Sequence, residues 1–182
     1  MRTFSRVVAL VMLGFGAIAA GCATTTSRRG LPPLDTVAHV DLARYAGTWF
    51  EVASFPQRFQ AGCVATQAEY TPAADGTITV VNRCRDQRLD GPERSVTGSA
   101  RVVDPATNAK LAVTFQWPFR GAYWIIDLDR DYRWAVVGHP SRDYLWILAR
   151  TPRLDGTTYA AIVERLQRRG YDTARLHRTL QP

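Results

Sequence analysis

Two cysteines in the body of the chain are the residues whose type and spacing bear most directly on chemistry. Cys63 and Cys84 flank two strand-like runs joined by a turn that contains Asp75 and Gly76. Folding the hairpin about that turn brings the two thiols nearly opposite each other, which favours a disulfide in an exported protein. The alternative is a reactive thiol at Cys63, for which only scattered arginines would lower the pKa. We predict a disulfide between Cys63 and Cys84, and a free thiol at Cys63 stays as the alternative.

The remaining groups with catalytic potential form no recognisable site. His39 lies ahead of the predicted strands, His139 lies in a turn and His177 lies near the end of the chain. No Ser–His–Asp order, metal-ligand cluster or phosphate loop is present. We therefore expect no enzyme activity, no cofactor and no bound metal. The net charge is +7, but the arginines are scattered and match no recognition motif, so we also expect no nucleic-acid partner.

The first 22 residues indicate export and lipid attachment. Arg2 and Arg6 precede an apolar run over residues 7–20, which is shorter than the roughly 20 residues that a bilayer span needs. The run ends in Ala-Ala-Gly-Cys, which resembles a bacterial lipobox, where cleavage falls before the cysteine and Cys22 is then acylated. Ordinary secretory cleavage near Ala20 is the alternative.

These features divide the chain into three parts. Residues 1–21 are the expected signal peptide, residues 22–34 the lipidated Cys22 and a flexible tether, and residues 35–182 a single folded domain. Ala23 follows Cys22, which resembles the sorting pattern of outer-membrane lipoproteins. We expect a protein that is lipid-anchored in the outer membrane through Cys22 and faces the periplasm.

The folded domain shows many short strands. Apolar runs recur about every ten residues, with turn signals such as PAADG and HPSRD between them, which is typical of an antiparallel sandwich or barrel. The predicted strands cover residues 48–54, 64–70, 77–83, 95–103, 110–116, 122–128, 134–138 and 144–149.

An amphipathic helix follows the strands. Its apolar residues have the spacing i, i+3, i+4, i+7, and they are Tyr159, Ile162, Val163 and Leu166. We expect Thr157 or Thr158 to cap the helix and Gly170 to end it. Because the apolar stripe is narrow, we expect packing on the outside of the sheet rather than membrane binding.

At this point the residues resemble the lipocalin family. GTW at residues 47–49, LDRDYRWAVVG at residues 128–138 and Arg150 in YLWILART fit its three motifs in order. The longer segments YAGTWFEVASFPQRF and the closing QP are similar to the bacterial outer-membrane lipoprotein lipocalins, which are apolipoprotein D-like. The resemblance covers Leu42 to Pro182. It implies an all-β fold, an eight-stranded antiparallel up-and-down β-barrel (lipocalin) with a C-terminal α-helix packed outside.

The resemblance also assigns roles to the motif residues. It places Trp49 inside the closed end of the barrel, with the Arg150 guanidinium across the indole and Gly47 where the chain passes under the barrel floor. These three residues are therefore expected to be structural rather than ligand contacts.

Strand alternation and the family pattern together give an expected cavity lining. Ala53, Val96, Gly98 and Ala100 are expected to face inward, with Glu51 as the carboxylate of the set. Tyr70, Asn82, Tyr123 and Tyr144 are expected to hydrogen-bond a headgroup near the mouth, and Arg58 or Arg120 to hold a carboxylate or phosphate. The predicted ligand-binding residues are Ala68, Tyr70, Val80, Asn82, Val113, Phe115, Tyr123, Ile125, Val137, Tyr144, Trp146 and Leu148.

Such a lining suits a long apolar chain. The leading hypothesis is a carrier that binds fatty acids or lysophospholipids and aids membrane maintenance under stress. The alternatives are a lipocalin-type enzyme that uses a cavity thiol, and a structural lipoprotein with a filled barrel. Four large apolar residues lie in the expected loops, and they are Phe55, Phe59, Trp117 and Phe119. Lining of the portal, contact with the bilayer and support of a homodimer are three alternative roles for them.

Overall fold

A computed structural model describes residues 30–182 of the chain. The expected signal peptide, Cys22 and most of the tether lie outside the described residues. No helix within residues 30–182 is long and apolar enough to cross a membrane.

Nine strands and two α-helices make up the described part. The helices are α1 (Leu42–Tyr45) and α2 (Gly156–Arg168). The strands are β1 (Gly47–Ser54), β2 (Cys63–Pro72), β3 (Ile78–Asp86), β4 (Glu93–Val102), β5 (Lys110–Gln116), β6 (Phe119–Leu128), β7 (Trp134–Gly138), β8 (Leu145–Ala149) and β9 (His177–Arg178). Short 3-10 turns occur at Arg58–Gln60 and Thr173–Arg175.

The first eight strands close into an antiparallel barrel, which confirms the predicted fold. Each strand pairs with the next along the chain, and β8 pairs back onto β1. The turn of Asp75 and Gly76 joins β2 to β3, with Gly76 at φ +77°. Closure pairs most of the backbone groups that an open sheet would expose. The gaps lie toward the open end, where β1 and β2 separate, where residues 93–98 of β4 have no partner on β5, and where residues 119–123 of β6 have none on β7.

Strand direction defines two ends of the barrel. β1 starts and β8 finishes at one end, which α1 covers, and this is the closed end. The opposite end, the open end, carries the β1–β2, β3–β4, β5–β6 and β7–β8 connections. Each side chain can therefore be placed by its height along a strand.

Alternation along the strands separates two apolar clusters, as the period of two requires. On β8, Trp146 and Leu148 face the barrel interior, the lumen, while Leu145, Ile147 and Ala149 face the opposite way. The outward cluster includes Ile162 and Leu166 of α2. The predicted packing of this helix on the outside of the barrel is confirmed.

The start of α2 differs from the prediction in its capping residue. The Asp155 carboxylate accepts a hydrogen bond from the Thr158 amide at 2.8 Å, so Asp155 is the N-cap and neither threonine is. The end agrees with the prediction, since Gly170 follows the last turn at φ +79°. A short carboxylate is a better acceptor than a hydroxyl for the free amides of a first turn.

The C-terminal segment, residues 177–182, fills a seam in the barrel wall. The seam is the gap between the open-end halves of β1 and β2. β9 pairs with β1 at Ala53 and Ser54, and the Ala65 amide donates to the Leu180 carbonyl at 2.7 Å. The Gln181 side-chain amide donates to the carbonyls of Glu51 and Thr66, at 2.8 and 2.9 Å. One glutamine therefore joins the two strands where they no longer pair.

A β-bulge in β1 overturns one expectation about the lining. The register against β8 shifts between Glu51 and Ala53, so that Glu51 lies opposite Leu148 whereas Ala53 lies opposite Ile147. Paired residues share a face of the sheet, and Ile147 belongs to the outward cluster. The prediction that Ala53 faces the lumen is therefore wrong.

Candidate ligand-binding site

Trp49 and Arg150 seal the closed end. The guanidinium lies 3.8 Å above the centre of the indole, which is fully buried. Its two terminal nitrogens donate to the carbonyls of Arg44, Ala46 and Thr48 at 2.7 to 2.9 Å. The arginine thus holds α1 against the start of β1 while it stacks on the tryptophan, and neither group is left free for a ligand.

Gly47 makes this arrangement possible. It has φ +89°, and a Cβ atom there would lie 3.6 Å from Nη1 of Arg150. The left-handed backbone conformation is therefore the reason for glycine at this position, rather than a lack of space.

The β6–β7 turn, which contains the second motif, also belongs to the closed end. Asp129 accepts from the backbone amides of Asp131 and Arg133 and from the Arg133 guanidinium, and the pKa of its carboxyl is lowered mainly by that side chain. The Tyr132 hydroxyl accepts from the Asp41 amide at 2.8 Å, and Arg44 covers the Tyr132 ring. The turn therefore fastens α1 to the barrel.

The register places the predicted lining on the lumen side of the strands. Ala68 pairs with Asn82, Tyr70 with Val80 and Val137 with Trp146. One apolar cluster joins the buried residues of this lining to Trp49. Its members include Ala68, Tyr70, Val80, Val113, Ile125, Val137 and Leu148. The Phe115 ring lies against Gly98, where a Cβ would meet it at 2.6 Å. Tyr144 lies at the rim, stacked on Trp146.

Exposure along this inner face increases from the closed end to the open end. Ala100 and Val80 are buried, whereas Val96, Phe115 and Tyr144 nearer the rim are 45, 41 and 37% exposed. Solvent therefore reaches inward-facing side chains at the open end. Contact of the predicted residues with a ligand stays a prediction.

Three tyrosine hydroxyls, the tyrosine triad, meet inside the barrel. The Tyr123 hydroxyl lies 2.7 Å from that of Tyr45 and 2.9 Å from that of Tyr70. Tyr70 pairs with Gly47 at the closed end, so the expectation that Tyr70 and Tyr123 hold a headgroup near the mouth is wrong. Burial raises the pKa of Tyr70 to about 12 and raises that of Tyr45 and Tyr123 well above the usual value, so all three stay protonated.

A cavity of about 590 Å³ lies at the open end, between the β1–β2 loop and the C-terminal segment. The buried Glu51 carboxylate forms part of its wall and accepts from Ser54, Gln60 and Thr179 at 2.9, 2.5 and 2.5 Å. Gln60 also accepts from the Trp146 indole at 3.4 Å. The loop is thereby tied to the lumen wall. Arg58 and His177 also line the cavity.

The aromatic residues expected in loops divide into two groups. Phe55 is buried among the outward cluster, between Tyr171 and Arg175, so it is a core residue. Phe59, Trp117 and Phe119 are exposed, Trp117 at 82%, and all three lie at the open end. Arg120, next to Phe119, is exposed there as well.

Cys63 and Cys84 form a disulfide, which confirms the predicted pairing. It joins β2 to β3 near the open end. Neither sulfur remains as a thiolate, so the thiol needed for cavity catalysis is not available from these residues. Within residues 30–182, no group of three or more histidine, cysteine, aspartate or glutamate side chains is arranged to hold a metal ion.

Comparison with known proteins agrees with this geometry. A model of the lipocalin-like domain matches residues 40–181, which is most of the chain. The chain is a lipocalin. It is 41% identical to temperature-induced lipocalin-1 of Arabidopsis thaliana over 157 residues, covering 81% of this chain and 83% of that protein. It is 35% identical to outer membrane lipoprotein Blc of Escherichia coli (strain K12) over 182 residues, covering 97% of this lipocalin and 98% of Blc.

A solved structure shows the same fold at lower identity. Insecticyanin from the tobacco hornworm Manduca sexta superposes with a TM-score of 0.66 and 22% sequence identity, over 82% of this lipocalin and 85% of insecticyanin. The likeness supports the closed barrel with its external helix.

Sequence reasoning missed several residues that build the site. Tyr45 completes the tyrosine triad from α1, and Thr179 and Gln181 reach the site from the C-terminal segment. Their partners are distant along the chain, since Gln181 bonds to Glu51. The only signal in the sequence was the closing QP, which pointed to the family but not to a contact.

Proposed function

We propose that this lipocalin is a lipid carrier that binds the acyl chain of a fatty acid or lysophospholipid in the barrel lumen. The observation that carries the proposal is the gradient of exposure along an apolar inner face, which is sealed by Trp49 and Arg150 at one end and reached by solvent at the other. Burial of ten methylenes contributes about 8 kcal/mol before ordering costs, so no covalent chemistry is needed for useful affinity.

The polar end of the ligand belongs at the open end. Arg58 lines the 590 Å³ cavity there, and Arg120 is exposed at the start of β6, on the opposite side of the same end. Guanidinium groups suit carboxylate and phosphate oxygens, and at a partly exposed rim such a pair keeps its solvation. A ligand held this way has its headgroup at the rim and its chain in the lumen.

The outer membrane is the proposed location, with the barrel in the periplasm and the anchor at Cys22. The name of the Escherichia coli relative, an outer membrane lipoprotein, supports the location, as does the lipobox-like sequence. The Pro32 carbonyl accepts from the Arg142 side chain at 2.8 Å, at the β7–β8 turn, so the chain that leads from Cys22 joins the barrel at its open end.

This attachment directs the mouth toward the bilayer. Phe59, Trp117 and Phe119 are exposed around the same end, and aromatic side chains are favoured at membrane interfaces. A carrier whose mouth meets the membrane can exchange lipid without carrying an exposed acyl chain through water. We propose that such exchange serves membrane maintenance under stress.

A pair of tryptophan substitutions on one strand tests the proposal. Val96→Trp places an indole at the lumen rim, and Thr97→Trp places the same group on the outer face of β4. We expect Val96→Trp to weaken binding of a fluorescent fatty acid by at least about tenfold and Thr97→Trp to leave it within about twofold. Equal affinities for the two variants would place the ligand outside the lumen and overturn the proposal.

A further inference from the structure

The tyrosine triad crosses the axis of the barrel. β2 and β6 lie four positions apart in a closed ring of eight strands, so they face each other across the lumen. The 2.9 Å contact between the Tyr70 and Tyr123 hydroxyls therefore spans the lumen, and Tyr45 joins it from α1. For the proposed ligand, whose chain enters from the open end, the triad would form the floor of the lumen.

A count of protons shows that this floor is incompletely satisfied. Three hydroxyls carry three protons, and the two contacts among them use two. Whichever way the donors are arranged, one proton remains, and the three hydroxyls form no hydrogen bond to any other acceptor among residues 30–182. A buried hydroxyl without an acceptor is costly, so the arrangement favours an incoming oxygen.

The surroundings exclude an ionised group at this position. Tyr70 pairs with Val80 and Tyr123 with Leu111, and both partners are apolar. Arg150, the cation of the closed end, is committed to three backbone carbonyls and to Trp49. A carboxylate at the floor would leave water for an apolar environment in which the guanidinium of Arg150 has its donors committed elsewhere, whereas an uncharged oxygen needs only the spare proton. Tyr123 is the partly exposed member of the triad, whereas Tyr45 and Tyr70 are buried, so the approach that we propose for the ligand is along Tyr123.

We propose that the tyrosine triad accommodates acyl chains that carry an uncharged oxygen, a hydroxyl or a carbonyl, at their buried end. The spare tyrosine proton is donated to that oxygen, and a ligand hydroxyl also donates to a tyrosine lone pair. The inference rests on the proposed function, because it requires an acyl chain in the lumen. It adds a tolerance for a buried oxygen that an entirely apolar lumen would not have.

The test compares acids of equal length that differ only at the far end of the chain. Hexadecanoic acid is compared with 16-hydroxyhexadecanoic acid, and dodecanoic acid with 12-hydroxydodecanoic acid, by displacement of a fluorescent fatty acid from the purified, delipidated full-length chain. The variant combines Tyr45→Phe, Tyr70→Phe and Tyr123→Phe. All three are changed because a tyrosine that kept its hydroxyl could still donate a proton to the ligand oxygen. Tyr171→Phe, which removes a buried hydroxyl outside the lumen, is the matched control.

We expect the wild type and Tyr171→Phe to bind at least one hydroxy acid within about threefold of its plain partner. In the triple variant we expect the hydroxy acid to lose about tenfold relative to the plain acid, because its hydroxyl is then buried without a partner. The same ratio in the wild type and the triple variant overturns the inference but leaves the carrier function intact. Failure of the wild type to bind either plain acid contradicts the carrier function itself.

A second measurement needs no variant. We expect 8-hydroxyhexadecanoic acid to bind the wild type about tenfold more weakly than 16-hydroxyhexadecanoic acid, since a mid-chain hydroxyl meets the aliphatic wall. Equal binding of the two isomers overturns the inference even where the triple variant does not fold.

Discussion

The hydroxyls of Tyr70 and Tyr123 lie 2.9 Å apart on strands that face each other across the barrel. This contact divides the interior into a filled base, which contains Trp49, and an upper lumen whose rim residues are exposed. The division separates two kinds of residue. Substitutions at the base are expected to change stability, and substitutions at the rim are expected to change binding.

Arg150→Met tests the seal of the closed end. The substitution removes three charge-assisted hydrogen bonds to backbone carbonyls and the stacking on Trp49. We expect the free energy of unfolding in urea to fall by about 2–3 kcal/mol, with fatty-acid affinity nearly unchanged. Arg130→Met, at an exposed arginine of the same end, is the control. An equally small change in both variants would show that the motif arginine does not hold the closed end together.

Removal of the disulfide tests the covalent link between β2 and β3 near the open end. We expect Cys63→Ser with Cys84→Ser to lower the free energy of unfolding by about 3 kcal/mol, because the bridge restricts the unfolded chain over a sequence separation of 21 residues. Thermal unfolding followed by circular dichroism measures the loss. Addition of a reductant to the wild type provides the matched comparison, and it is expected to reproduce the shift in the wild type and to leave the double variant unchanged.

Gln181→Leu tests the seam between β1 and β2. The variant loses the two donors that join the carbonyls of Glu51 and Thr66, which costs about 2 kcal/mol. We expect the amides of Ala65 and Thr179, which donate across the seam, to exchange with solvent faster in hydrogen-exchange mass spectrometry. Pro182→Ala is the control. Unchanged exchange at both amides would mean that the C-terminal segment is held without Gln181.

Asp129 makes stability depend on acid pH. Hydrogen bonds from Arg133 hold the pKa of this carboxyl below its usual value in the folded state, so its contribution is fully present above about pH 4 and is lost as the pH falls through the lower folded value. We expect Asp129→Asn to be less stable than the wild type at pH 7 and to lose less further stability below about pH 4. Asp131→Asn, at an exposed neighbour, serves as the control in the same series of denaturant titrations. Parallel pH profiles for wild type and Asp129→Asn would contradict this role.

The sequence was sufficient for the eight barrel strands and α2 because each has a regular apolar period between clear turn signals. The predicted boundaries of β5 and β7 agree with the structure to the residue. Cys63 and Cys84 could be paired because one hairpin joins them. In all these cases the information is local.

The remaining features depend on contacts that no local pattern records. The bulge that turns Ala53 away from the lumen appears only in the register against β8, since a strand sequence has the same alternation with or without it. β9 has only two residues, too few for any period. The tyrosine triad joins residues 45, 70 and 123, which meet only after the barrel has closed.

The most direct test of the central claim, an acyl chain held in the lumen, is native mass spectrometry of the full-length lipocalin released from cells without delipidation. We predict one non-covalently bound acyl-chain lipid for each polypeptide, displaced by hexadecanoic acid in the wild type and missing from Val96→Trp. The mass of the polypeptide and its covalent anchor alone, with no uptake of added hexadecanoic acid, would contradict the claim.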